Sequence, residues 1–146
     1  MANELIYVYT SEVTLEDSGG SIANTSFGAA DLGSLTSANH LDYPLADFVL
    51  TAGFAANVAG GTYINLYRQD FDISGTVDSE APGVAYPRLF VGRFQLKSGV
   101  SVATAFPCSD VPLSRVCQFS VEVQSGQTMA AGWTLKCTPK SFGPAT

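Results

Sequence analysis

The stretch "RVCQFSVEVQSGQTMAAGWTLKCT", residues 115–138, decides how this chain folds. Cys117, Phe119, Val121 and Val123 alternate with Gln118, Ser120 and Glu122; beyond the break, Trp133, Leu135 and Cys137 alternate with Thr134 and Lys136. A period of two marks β-strands with one buried face. The intervening "QSGQT" carries a Ser-Gly turn signal, so the two runs are expected to pair as a hairpin. That pairing sets Val121 near Trp133, Phe119 near Leu135 and Cys117 near Cys137, all facing the core, because a slip of one residue would expose the whole apolar set.

Working outward, the same period recurs. "ELIYVYT" (4–10) is aromatic and β-branched, and "ADFVLTAGF" (46–54) puts Phe48, Leu50 and Phe54 on one side. "TYINLYRQ" (62–69) alternates Tyr63, Asn65 and Tyr67 with Ile64, Leu66 and Arg68, while "RLFVGRFQLK" (88–97) sets Phe90, Phe94 and Leu96 against Arg93, Gln95 and Lys97. Helical periodicity is nearly absent: the best candidate is a short turn within "ADLGSLTSANHLDYP" (30–44), broken by Gly33 and Pro44. "EDSGGSIANTS" (16–26) reads as a loop or an extended arm, and "FPCSDVP" (106–112) as a loop. The expectation is a single all-β domain over 1–146, an antiparallel β-sandwich of jelly-roll type with about seven or eight short strands. Residues 1–44 read as an extended N-terminal arm plus loops.

Composition agrees with that class. The chain has 146 residues, 46% hydrophobic and only 14% charged, which is long enough and apolar enough to bury a core. Residues 1–87 hold eleven acids against one base, Arg68, whereas residues 88–146 hold two acids against six bases. An acidic chain without a basic cluster argues against nucleic acid as a partner. The start, "MANELIYVYTSEV", lacks a basic region and a long apolar run, so neither a secretory signal nor a membrane span is expected. Three cysteines without CxxC spacing fit reduced thiols in a reducing cytoplasm better than a disulfide framework.

In "DFDISGTVDSE" (70–80), Asp70, Asp72, Ser74, Gly75, Thr76 and Asp78 occupy calcium-loop positions, but the twelfth position is Ala81 where a bidentate Glu is required. The flanking segments are not helical, so a polar inter-strand loop is the expected reading and no metal is assigned. His40 is the single histidine, with Ser37 and Asp42 nearby in sequence only, which does not make a triad. Cys117 and Cys137 lie on apolar faces, where thiols act as small hydrophobes; Cys108, read as a loop residue, is expected to be more accessible. "VAGGTY" leads into a strand rather than a helix and is no phosphate loop. No catalytic, cofactor-binding or metal residue is therefore expected, and the chain is read as a non-enzyme without cofactors. The six tyrosines suit sugar stacking or a protein interface.

Three segments, "FAANVAGGTYINLYRQDFDISGT" (54–76), "RLFVGRFQL" (88–96) and "SGQTMAAGWTLKCTP" (125–139), together resemble small structural proteins of tailed-bacteriophage virions, of the capsid decoration or cement kind. The likeness covers about residues 45–140, and "CQFSVEVQ" (117–124) departs from it by placing a buried thiol in a strand that is usually polar-rich. The resemblance implies a β-sandwich that oligomerises as a homotrimer or homodimer, binds the major capsid protein and sits on the capsid exterior, with no nucleic-acid or membrane partner. Its motifs concern packing and turns and carry no catalytic residues. The alternatives are a carbohydrate-binding β-sandwich module and a tail or baseplate component. Leu5, Ile6, Tyr7 and Tyr9 form the candidate interface, either as an arm that pairs with a neighbour's strand edge or as the first strand of the chain's own sandwich.

Overall fold

The computed structural model describes residues 5–32, 35, 42–71 and 89–144. Among these residues there is no helix, and nine strands occur in the order β1 (Leu5–Tyr9), β2 (Val13–Gly19), β3 (Phe27–Ala29), β4 (Leu45–Ala52), β5 (Tyr63–Phe71), β6 (Phe90–Gln95), β7 (Thr104–Pro112), β8 (Val116–Gln124) and β9 (Trp133–Pro144). They form two sheets, one ordered β1-β9-β4-β7 with β2 also on β9, the other ordered β3-β8-β5-β6. Every pairing is antiparallel. β1 and β2 run consecutively along one side of β9, from Pro144 back to Trp133, and so fill a single edge position. Counted that way, eight positions divide four and four, with the chain crossing between sheets at every step except β5 to β6. This is the double-sheet jelly roll.

The alternating residues build the core as expected except at Phe90, which was set with Phe94 and Leu96 but is 51% exposed, because a register shift between Leu66 and Tyr67 turns it to the outer face beside Tyr67. Ala46, Phe48, Leu50 and Ala52 of β4, Ile64 and Leu66 of β5, Phe94 of β6, Cys117, Phe119, Val121 and Val123 of β8, and Trp133, Leu135 and Cys137 of β9 are all buried. The Phe48 and Phe119 rings meet across the two sheets at 4.7 Å.

The expected hairpin does not form. β8 pairs with β3 and β5, while β9 lies in the opposite sheet between β1/β2 and β4. Residues 125–132 arch over the end of the sandwich, turning at Gly126 and Gly132 (φ 75° and 87°). The arch is held by Met129, which bridges Ile22 and Phe54. The two runs do share one core, but they face one another through it instead of lying side by side.

Two further segments differ from expectation. Glu16–Gly19 is strand, not loop: two register shifts let β2 bulge along β9. There Glu16 is buried and accepts hydrogen bonds from the Asp17, Ser18 and Asp31 backbone N–H groups. Burial alone would raise this carboxyl, but those donors outweigh it and hold it below the ordinary carboxylate range. "FPCSDVP" is likewise strand, in β7, and its Pro107 and Pro112 are accommodated because β7 is the edge of its sheet. The short helical turn sought within 30–44 falls mostly outside the described residues.

Candidate interaction surface on the β1–β9 ribbon

The early aromatic segment is the first strand of its own sandwich. β1 pairs in unbroken register with the far end of β9: Leu5 with Pro144, Tyr7 with Phe142, and Tyr9 with Lys140. This end of β9 extends past the cover of the other sheet. Ile6 (44% exposed), Val8 (38%), Tyr7 (44%), Tyr9 (51%) and Phe142 (55%) therefore remain in solvent. Alternation divides them: Tyr7, Tyr9 and Phe142 share the outer face, and Ile6 and Val8 the inner one. The Tyr7 ring lies 4.9 Å from Phe142 and 6.2 Å from Tyr9.

A buried cation supports the aromatic face. Lys140 is opposite Tyr9, and its side chain is only 3% exposed. Its Nζ lies 2.6 Å from Asp47 Oδ1, 2.5 Å from Asp110 Oδ1 and 4.1 Å from the Tyr7 ring centre. Asp47 also accepts from the Tyr9 hydroxyl (3.2 Å) and from the Asp110 N–H (3.1 Å). A bulge delivers Asp110: Ala46 pairs with Val111 and Phe48 with Cys108, so Asp47 stands against two residues of β7. Asp110 adopts φ 60° there, a conformation that Asp tolerates better than most side chains.

Burial opposes the charge on Lys140, but hydrogen bonds to Asp110 and Asp47 outweigh it and raise its pKa. At Asp47 burial also opposes the charge and so raises the pKa, but the bond from Lys140, the Asp110 N–H and the Lys140 charge outweigh it and lower the pKa. Partial desolvation, then the Asp47 carboxylate, raises the Tyr9 phenol. The cluster is thus a charged brace that fixes two tyrosines, not a poised acid–base pair.

Elsewhere the anticipated positions fall as follows. Asp70 is engaged by Arg68 (2.6 Å) and by the Ser114 hydroxyl (2.5 Å); Asp72–Glu80, Ser37, His40 and Tyr86 lie outside the described residues. Among the described residues no group of three His, Cys, Asp or Glu side chains could hold a metal ion. Cys117 and Cys137 are buried free thiols. Burial, and then the nearby Cys117, push Cys137 up to about 12. Cys108 is not on a loop but in β7, half-buried under β6, where a Cβ on Gly92 would sit 2.5 Å from its sulfur.

Two of the tyrosines lie on the outer face of the other sheet. Tyr67 is buried and donates to Glu122 (2.8 Å), Asn65 donates to the same carboxylate (3.0 Å), and the Arg93 guanidinium covers the Tyr63 ring at 3.8 Å.

Sequence reasoning named Leu5, Ile6, Tyr7 and Tyr9 but missed Val8, Phe142, Lys140, Asp47 and Asp110. Phe142 was within reach, since continuing the alternation of β9 puts 140 and 142 together on the face opposite Trp133. The partnership of Asp47 with Asp110 was not, because it depends on a bulge. Comparison with known proteins adds no relative: no protein-family model, no curated protein and no solved structure matches this chain.

Proposed function

We propose that the protein is a non-enzymatic structural protein of a tailed-bacteriophage virion, which binds the exterior of the capsid shell and resists separation of neighbouring shell subunits. The observation that carries this reading is the β1–β9 ribbon: a strand pair in unbroken register, with exposed apolar side chains on both faces and a braced aromatic face. Exposed apolar patches of this kind mark interaction surfaces. The segments that resemble decoration proteins supply the identity of the partner, the major capsid protein. They also supply the location on the capsid exterior after synthesis in the host cytoplasm. A small cement protein benefits from self-association, since linked contacts to several shell subunits multiply affinity without large individual interfaces.

The carbohydrate-binding alternative would use the outer face of the four-stranded sheet. There Tyr67 is buried and Tyr63 already stacks under Arg93, which leaves less aromatic surface for a sugar ring.

The test is to locate the chain in purified particles by mass spectrometry and imaging, and to heat particles that lack it. Expected are occupancy of the head exterior and a lowered burst temperature. Location in the tail would favour the baseplate reading. Absence from particles, with binding on a glycan array, would favour the carbohydrate module.

A further inference from the structure

Sheet edges are templates for further strands, and natural proteins blunt them with charge, proline, bulges or shortness. Three edges of this sandwich are blunted. β7 carries Pro107, Pro112 and the bulge at Asp47; β3 is three residues long; β6 carries Arg93 and a register shift. β2, which continues the fourth edge, is broken by two shifts. β1 has none of these devices. Its sequence, "LIYVY", contains no charge, proline or glycine, and its register with β9 is continuous.

The orientation of its backbone follows from one bond. The Thr10 N–H donates to the Pro139 carbonyl at 3.0 Å, which makes Thr10–Pro139 a hydrogen-bonded pair of the antiparallel ladder. Successive residues of such a ladder alternate, so Val8 and Ile6 also turn their N–H and C=O groups toward β9. Leu5, Tyr7 and Tyr9 turn theirs away, and among the described residues no strand pairs with that side.

We infer that β1 pairs antiparallel with β1 of a second copy of this chain, about a twofold axis at Tyr7, and joins two five-stranded sheets into one. The outward-facing set is symmetric about Tyr7. With Tyr7 opposite its own copy, Leu5 of each chain lies opposite Tyr9 of the other, and every outward N–H and C=O finds a partner. The inner face then sets Ile6 against Val8, while the outer face joins the two aromatic patches. An isologous contact repeats each residue's own chemistry against itself. Like charges placed opposite one another destabilise a sheet; β1 has none, and the single negative charge left over from Lys140 with Asp47 and Asp110 lies toward β4 and β7, on the far side of β9 from the free edge. Self-pairing therefore meets no like-charge penalty, and the self-complementary outward set, Tyr7 against Tyr7 and Leu5 against Tyr9, fits a second copy. The inference rests on the self-associating part of the proposed function and names the surface that performs it.

The experiment measures the mass of the full chain by sedimentation across a dilution series, for the wild type, Tyr7→Pro, and two cysteine variants in a Cys108→Ser background. The wild type is expected to be a dimer. Tyr7→Pro removes an N–H that points away from β9, so the fold should persist, as circular dichroism would show, while dimer dissociation rises about tenfold or more. Under oxidation Tyr7→Cys should cross-link two chains, because hydrogen-bonded partners lie about 5.5 Å apart, within disulfide reach. Tyr9→Cys, whose two copies would be several residues out of register, should not. If Tyr7→Pro fails to fold, the cross-linking pair decides alone. A monomer at every concentration, a trimer, a dimer indifferent to Tyr7→Pro, or cross-linking through residue 9 instead of 7 would each overturn the inference. A monomer whose shell occupancy is lost with Tyr7→Pro would instead mean that the edge receives a strand of the shell protein. A β1-linked dimer that is absent from particles would leave the inference standing and remove the proposed function.

Discussion

Residues Trp133–Cys137 and Lys140–Gly143 belong to the same strand, yet their surroundings are opposite. The first half is flanked by β2 and β4 and roofed by the other sheet, so Trp133, Leu135 and Cys137 are buried. The second half is flanked by β1 and reaches beyond the roof, and its apolar residue, Phe142, is 55% exposed. Cover, not sequence character, separates them. In the first half burial of apolar surface does the stabilising; in the second a buried lysine paired with two partly exposed carboxylates holds the strands while the apolar side chains remain available.

The largest effect should come from the covered half. Trp133→Ala removes an indole whose Nε1 donates to the Gly20 carbonyl at 2.8 Å and whose ring fills the space above Gly19. A loss of about 3–5 kcal/mol is expected in urea unfolding. If the variant unfolds at the wild-type midpoint, the covered half does not carry the core.

Next is the cation of the open half. Lys140→Met leaves Asp47 and Asp110 close together without a counter-charge. Removing one partner of a fully buried pair costs about 3–5 kcal/mol. Asp110 is half in solvent, so about 1–3 kcal/mol is expected here. The pH dependence identifies the cause. The folded-state pKa of Asp47 is lowered, so its contribution is present above the unfolded value of about 3.9 and is lost as pH falls through the folded value. The folded-state pKa of Lys140 is raised, so its contribution is present below about 10.4 and is lost as pH rises through the folded value. The gap between wild type and Lys140→Met should therefore be level from about pH 5 to 10 and narrow in acid. A gap that ignores acid would mean that lost packing of the lysine stem is responsible.

Thiol accessibility gives a finer comparison of cover. Cys137 and Cys117 should react with a thiol reagent only on unfolding, and half-buried Cys108 earlier, though slowly, because burial also raises its pKa. Equal rates for all three would place the core differently.

The smallest effect should be Thr134→Ala, on the outer face of the covered half, within about 0.5 kcal/mol of wild type by the same urea measurement. A cost near that of Trp133→Ala would invert the assignment of faces.

The faces were legible in the sequence because alternation reports burial directly: Phe48, Leu50, Phe119 and Trp133 all fell where their period put them. The neighbours were not. A period of two says that β8 and β9 each have one buried side, and that holds whether the strands lie side by side or face one another across a core. The arch at 125–132 chose the second arrangement. β7 was hidden by its prolines, which argue against a strand except at an edge, and edges are set by the whole sheet. The candidate interface was half legible: the aromatic content of 5–9 drew notice, but the brace beneath it joins residues 47, 110 and 140 through a bulge that no local pattern announces.

The central position of β9 also bears on the order of biosynthesis. β1 and β2 find their strand partner among the described residues only in β9, and one side of β4 waits for it as well. At roughly 5–20 residues per second, translation leaves these strands without that partner for several seconds. The five-stranded sheet can close only after residues 133–144 have left the ribosome, so folding is governed by distant pairings of the kind that make β-proteins slow. Throughout that interval "LIYVY" has no strand partner among the described residues on either edge.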